Sequence, residues 1–301
     1  MKILIAYSGG KDSQAALIWT VKQSGFKKEN IKAVFCDTGW ENPQTYQHII
    51  ETTNDLGIEL ITLKSSKYKD FIGLIKSKGR FPSTKARFCT EELKTKPMID
   101  YILDQVNDHI IVIQGIRADE SINRSKMAKE CTFFKYYKQP YGKDKNGNDK
   151  LFTYRKKEVL SWCKNYGDDI LRPVIDWSAN QVIDYILENN QKPNPLYYQG
   201  MKRVGCYPCI MTNHKEFNNI IKNDPDHINK LIKLETDLNS TFFPPKYIPN
   251  RYATSYDIKT RKKIITIPDV VKYLNNKNND PELFENDDKN HRCMSFYNIC
   301  E

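Results

Sequence analysis

Apolar positions follow two rhythms along the first part of this chain. Lys2 to Tyr7 is a short, nearly unbroken apolar run, the pattern of a strand buried on both faces. It stops at Ser8-Gly9-Gly10. Apolar residues then recur at helical spacing through Ser13-Gln14-Ala15-Ala16-Leu17-Ile18-Trp19, with Gly25 near the expected stop. The alternation repeats: Ile31 to Cys36 reads as a strand ending at Asp37-Thr38-Gly39, Asn42 to Leu56 as a helix stopped by Gly57, and Ile58 to Leu63 as a third strand. Beyond a loop around Phe81-Pro82-Ser83, Glu91 to Val106 reads as helix and His109 to Gln114 as another buried strand, ending at Gly115.

Strands alternating with helices predict an α/β fold with a doubly wound, mostly parallel sheet. In such sheets ligands bind beyond the carboxyl ends of the strands, where Ser8, Asp37 and Gly115 all fall. Tyr141 to Lys150 lacks apolar spacing and reads as an exposed turn or hairpin tip, and Ser178 as the N-cap of a helix from Ala179 to Glu188. After Met211 the chain is rich in Asn and Lys, contains Pro244-Pro245, and shows only short helical patterns before its Cys-bearing end. The expected organisation is an α/β domain over 1–210 and a mostly helical C-terminal extension over 211–301 that packs on it.

Composition narrows the class. Of 301 residues, 39% are hydrophobic, 12% aromatic and 28% charged, which is globular rather than disordered. No run is long enough to cross a membrane, and the apolar stretch before Ser8 is too short for a signal-peptide core, so a cytoplasmic protein is expected, with no membrane partner. The 47 Lys and Arg against 37 Asp and Glu give a net charge of +10, which suits a polyanion without choosing between a nucleotide and a nucleic acid. The basic residues are scattered, with clusters at Lys27-Lys28, Arg155-Lys156-Lys157 and Arg261-Lys262-Lys263 rather than one stripe.

A strand, then Ser8-Gly9-Gly10-Lys11-Asp12-Ser13, then a helix supplies what an anion site needs. Glycines let the backbone approach, and N–H groups at the helix start point at the charge. Lys11 and the hydroxyls of Ser8 and Ser13 add donors. The string is neither a Walker A loop nor a dinucleotide fingerprint. It resembles the PP-loop of the adenine nucleotide alpha hydrolase superfamily. Further motifs, in order, narrow the resemblance to the phosphoadenosine phosphosulfate reductase family: Asp37-Thr38-Gly39-Trp40-Glu41, Arg87-Phe88-Cys89-Thr90 with Lys94 to Pro97, Gly115-Ile116-Arg117 with Glu120-Ser121 and Arg124, Pro173 to Trp177, and Asn194-Pro195-Leu196-Tyr197. They span roughly residues 1 to 210. The resemblance implies an adenine nucleotide, adenylyl sulfate or ATP, held by Ser8 to Ser13, Asp37, Thr38 and Gly115, with Arg117 and Arg124 offering planar forks to phosphate or sulfate. For each arginine alone, an ion pair with Asp119 or Glu120 is the competing reading. Mg would accompany ATP.

Eight cysteines in a reducing compartment raise metal or redox chemistry before disulfides. Cys36, Cys131 and Cys163 read as small core residues. Cys206-Tyr207-Pro208-Cys209 can present two thiolates to one metal or act as a redox pair. It resembles the Gly-Cys-x-x-Cys of the iron–sulfur members of the family, whose other ligands form a Cys-Cys pair where this chain has Phe88-Cys89. Cys89, Cys206 and Cys209 then need a fourth ligand, for which Cys293 and Cys300 are the candidates, with Cys293 taken as the ligand. A 4Fe–4S cluster, zinc, a thiol pair and unligated cysteines all stay open, with His214 and His291 as substitute ligands. In the reductase reading Cys300 is the nucleophile, Lys11 assists it, and a thioredoxin-like dithiol is the partner; the family's Glu-Cys-Gly-x-His tail is replaced here by Asn-Ile-Cys-Glu. Two alternatives are an AMP-forming ATP pyrophosphatase working in sulfur transfer or nucleic-acid modification, and a nucleotide sensor without turnover.

Overall fold

The computed structural model describes residues 1–257 and 261–279. Six strands form one sheet: β1 Lys2–Ala6, β2 Ile31–Cys36, β3 Glu59–Leu63, β4 Ile110–Gln114, β5 Glu130–Thr132 and β6 Asp168–Leu171. Their order is β3-β2-β1-β4-β6-β5, parallel throughout except for β5, which pairs antiparallel with β6. The unbroken apolar run of β1 follows from its central place, with Ile3 between Ile31 and Ile111. The chain winds from β1 outward to β3, then returns to lay β4 on the other side of β1. The switch point between β1 and β4 is where a crevice opens in such sheets.

Among the described residues, nine helices have seven residues or more: α1 Lys11–Lys22, α2 Pro43–Leu56, α3 Phe71–Lys78, α4 Lys96–Gln105, α5 Lys156–Trp162, α6 Ala179–Glu188, α7 His214–Asn223, α8 Pro225–Leu238 and α9 Ile267–Asn279. Alternation along β1 sorts them into two layers. Ile3 and Ile5 pack with Leu17, Ile49 and Val182, from α1, α2 and α6. Leu4 packs with Ile99, Ile102 and Trp162, from α4 and α5. A third cluster joins Trp40, Phe71, Leu196 and Tyr207 to Phe217, Leu231, Phe243 and Val270, so α7 to α9 are seated on α3 and the loop after β2. Among the described residues no helix is long and apolar enough to cross a membrane.

Most expected elements appear with their caps. Gly57 ends α2 in the left-handed region, and Ser178 and Gln181 close a capping box at α6. Residues 142–143 and 149–150 pair as an antiparallel ribbon at the expected hairpin tip. The expected helix over 91–106 differs. Phe88–Thr90 is a single turn, Glu91–Thr95 is a wider π-type turn, and regular helix begins only at Lys96. Pro97 explains this, since it has no N–H to give the carbonyl four residues back and its ring crowds that turn. The extension beyond Met211 is also more regular than its short patterns suggested, because Asn213 with Glu216, and Asp224 before Pro225, cap two consecutive helices.

Candidate functional site

The turn after β1 is shaped by its two glycines. Gly9 has φ +76°, and a Cβ there would meet Thr45 Cγ2 at 2.8 Å. Gly10 is the N-cap of α1 and offers no capping side chain of its own at the positive end of the helix. The serines brace the turn: Ser13 Oγ donates to Gly10 O at 2.9 Å and lies 3.4 Å from Ser8 Oγ. From the opposite side, Asn194 Nδ2 donates to Gly9 O at 3.2 Å, and Lys11 N donates to the Tyr197 hydroxyl at 2.9 Å. The Lys11 ammonium lies 5.5 Å from the Tyr197 ring centroid. Asn194 and Tyr197 therefore act as a buried brace for the glycine turn, a role the sequence did not disclose.

Gly115, at the end of β4, touches the same turn. A Cβ there would fall 2.3 Å from Ser13 Cα and 2.4 Å from Asp12 O and Ser13 N, so backbone meets backbone. Arg117 follows. It is 5% exposed and joins Asp12 (Nε to Oδ1, 2.6 Å) to Asp119 (Nη1 to Oδ2, 2.6 Å). The fork thus pins the first turn of α1 to the loop after β4. Arg124 pairs with Glu120. Burial, and the like charges of Arg203, Arg87 and Arg117, weaken its hold on its proton, with Asp12 opposing. Arg87 and Arg203, both exposed, thus complete a positive rim that sequence reasoning missed. Only a topology that brings residues 87, 117, 124 and 203 to one end of the sheet reveals it.

The polar atoms of Asp37 and Thr38 are engaged by their own loop, by Tyr46 of α2 and by Lys64 after β3. Asp37 Oδ1 accepts from Gly39 N at 2.8 Å and from Tyr46 OH at 2.7 Å, and Lys64 Nζ lies 3.1 Å from Oδ2. Burial opposes its ionisation, but these donors outweigh burial and hold the carboxyl below its usual range. Thr38 is 1% exposed, with Oγ1 donating to Glu41 Oε1 at 2.7 Å.

Beside this loop lies a pocket of thiols. Residue 206 bridges to Glu41, Tyr207 N donates to Trp40 O at 2.7 Å, and Trp40 Nε1 donates to Pro208 O at 3.2 Å, which clips the Cys-x-x-Cys segment onto the end of β2. Burial pushes the Cys206 thiol up to about 11, against the pull of Lys94, and the Cys36 thiol likewise to about 11. Cys89 is raised by burial and by Cys209 beside it. The Lys94 ammonium stands among them: Cys206 above all, then Glu41, Cys36 and Cys209, hold its proton more firmly than usual against desolvation. Cys36, expected to be a small core residue, instead has its Sγ 3.5 Å from Lys94 O at the pocket wall.

Among the described residues no three His, Cys, Asp or Glu side chains stand together as a ligand set for a metal ion. Cys89, Cys206 and Cys209 approach one another without forming one. Cys293 and Cys300, with His291, lie outside the described residues. His214 Nε2 is engaged by Tyr247 O at 2.7 Å, between the rings of Tyr247 and Tyr273.

A glycine turn between the first strand and first helix, at the switch point of a mostly parallel sheet, defines a doubly wound α/β protein with a nucleotide-binding type of fold. Residues 2–212 match the model of the phosphoadenosine phosphosulfate reductase domain, and the chain belongs to that family. It is 27% identical to an uncharacterised 37.8 kDa protein of Escherichia phage 186, over 85% of this chain and 83% of that one. An uncharacterised protein of Methanocaldococcus jannaschii is 29% identical over 74% of this chain and 39% of its own length. A phosphoadenosine 5′-phosphosulfate reductase of Buchnera aphidicola is 27% identical over 60% of each chain. Among solved structures, a phosphate complex of the Candida auris phosphoadenylyl-sulfate reductase matches with 16% identity and a TM-score of 0.45, over 69% of this chain and 83% of that one.

Proposed function

We propose that this protein is a sulfonucleotide-directed enzyme that binds an adenylyl sulfate with its sulfate or phosphate groups on the Ser8–Ser13 turn and releases sulfite. The observation that carries this reading is the glycine-capped start of α1 within reach of the arginine rim, with Arg117 tying Asp12 to the loop after β4. Helix N–H groups and guanidinium forks together suit a dianionic group with several equatorial oxygens.

In the reaction, a thiolate attacks the sulfur of the adenylyl sulfate. A sulfur–sulfur bond forms, the sulfur–oxygen bond to the nucleotide breaks, and the adenosine phosphate leaves with that electron pair. A dithiol donor of the thioredoxin type then attacks the enzyme sulfur of the S-sulfonate, sulfite departs, and a second donor thiol restores the free cysteine as the donor becomes a disulfide. Cys36 and Cys206 are poor candidates for the attack, since thiols raised to about 11 are protonated at neutral pH. Cys300 is the proposed nucleophile, with Lys11 assisting the departing phosphate. The test is anaerobic turnover of adenylyl sulfates with a dithiol, read as sulfite. Cys300→Ser should abolish release while leaving nucleotide affinity intact, and retained release in that variant overturns the assignment.

The thiol pocket around Lys94 favours a second reading, in which ATP with Mg is cleaved at the α-phosphate and the cysteines handle sulfur for transfer to an acceptor. ATP-dependent formation of AMP and pyrophosphate, without sulfite from adenylyl sulfates, would replace the first reading with this one.

A further inference from the structure

Between the loop that follows β4 and the start of α5, the chain carries a surface unlike the rest of the molecule. Tyr136 and Tyr141 are 39% and 50% exposed. Exposed aromatic rings are usually loosely held, but these are fixed from below. Their centroids lie 5.9 Å apart, and Phe152 touches both, at 6.3 Å from Tyr136 and 5.3 Å from Tyr141. Phe152 in turn stacks on Tyr137 at 6.0 Å and 30°. Tyr137 is 4% exposed, donates its hydroxyl to Tyr154 O at 2.6 Å, and meets Phe134, which meets Trp162 in the core. The result is a ring platform rooted in the sheet's helical layer, with two faces turned to water and little freedom to lose on binding.

Charge surrounds the platform. From Lys126 to Phe152 there are seven lysines against Glu130, Asp144 and Asp149. Lys126, Lys129, Lys138, Lys143, Lys145 and Lys150 are exposed, and Lys135 Nζ lies 5.2 Å over the Tyr136 ring. Asp144 is turned inward on its own ribbon, accepting from Asn146 N at 2.8 Å and Asn148 N at 2.9 Å, so it closes the tip. Two braced, exposed rings on a lysine-rich segment match one chemistry: unpaired bases that stack, on a phosphate backbone that the lysines meet. A duplex offers the phosphates but hides its base faces, and an acidic peptide offers charge but no planar rings.

We propose that this aromatic and lysine-rich face, Tyr136, Tyr141 and Phe152 with the ribbon at 142–150, binds single-stranded nucleic acid. It goes beyond the nucleotide reading, because it needs neither turnover nor the phosphate-facing turn.

The experiment is fluorescence anisotropy of the full-length protein with labelled oligo-dT and oligo-U, over a range of salt. Binding should weaken linearly in log–log form as salt rises. Tyr136→Ala with Tyr141→Ala should weaken it by about tenfold or more, the size of one lost base stack, whereas Tyr136→Phe with Tyr141→Phe should keep it. Lys143→Glu with Lys145→Glu should weaken it and flatten the salt dependence. Adenine-nucleotide binding should be unchanged in all three, which separates a surface effect from misfolding. Four results overturn the proposal: no single-strand binding; affinity unaltered in the alanine pair; a duplex of equal length bound as tightly; or polyglutamate competing as well as an oligonucleotide of equal charge.

Discussion

The phosphate-facing turn and the thiol pocket stand at the same end of one sheet, yet they are built on opposite principles. The turn is made of backbone. Gly9, Gly10 and Gly115 remove side chains so that β4 presses on the start of α1, and its charges are guanidiniums on the rim. The pocket is made of side chains from distant segments: Cys36 after β2, Cys89 and Lys94 before α4, and Cys206 and Cys209 clipped on by Trp40. The turn is held by Tyr197, Asn194 and Arg117, the bracing that a preorganised anion site would need. Cys36 and Cys206, raised to about 11, hold their protons at neutral pH, and among the described residues the thiols form no ligand set for a metal. The difference is between a feature built from local backbone and one gathered from distant segments by the fold.

The largest effect should come from Gly115→Ala. A Cβ 2.3 Å from Ser13 Cα has only backbone to push against, and backbone there carries the whole turn. We expect a loss of about 3 kcal/mol in stability, at the upper end for overpacking, and loss of adenine-nucleotide binding. Thermal melting and calorimetric titration check this. Thiol accessibility should change far less than nucleotide binding. Equal damage to both would break the comparison, because it would mean that the turn and the pocket form one cooperative unit.

That contrast also sets how much could be read from sequence. Ser8 to Ser13, β1, β2, the Gly57 stop and the Ser178 cap were legible because each is local: a run, a period or a cap residue decides it within a few positions. Helix α3 escaped notice although Asp70 and Gly79 bracket it as caps, since its Phe71-Ile72-Gly73-Leu74-Ile75 core shows no clean period. The three-residue edge strand β5 depends wholly on β6 for its existence. The arginine rim and the gathering of Cys36 with Lys94 were invisible for a deeper reason. Their members lie tens of residues apart, and only the winding of the sheet brings them together. The same holds for Arg117, whose pairing with Asp119 meets the ion-pair expectation and whose pairing with Asp12, 105 residues away, lay outside it.

A middle-sized effect should follow Lys94→Met. The ammonium is the one cation that Cys206, Glu41, Cys36 and Cys209 all address, so its removal leaves Glu41 to its hydrogen bonds with Thr38, Trp40 and Tyr46. Breaking such a buried arrangement costs about 2 kcal/mol, less than a buried pair with no other support. Nucleotide affinity should stay within about twofold, well under the tenfold that 1.4 kcal/mol represents. A loss of binding as deep as that of Gly115→Ala would show that Lys94 reaches the ligand, and the pocket would then belong to the nucleotide site.

The smallest effect needs no substitution. Cys36 and Cys206 have thiols raised to about 11 from the usual 9.0. Between pH 9 and 11 the unfolded chain gives up these protons while the folded chain retains them. Folded stability should therefore be level below pH 9 and fall as pH rises through that window. The same shift predicts slow alkylation by iodoacetamide at neutral pH, rising about tenfold per pH unit toward 11 as thiolate forms, which peptide mass spectrometry can follow cysteine by cysteine. Saturating nucleotide gives the sharpest form of the test. If the turn and the pocket are independent, the profile is unmoved. A nucleotide-induced drop in the apparent pKa of Cys206 would instead mean that anion binding releases the thiols, and the contrast between a braced turn and a pocket of protonated thiols would become two states of one mechanism.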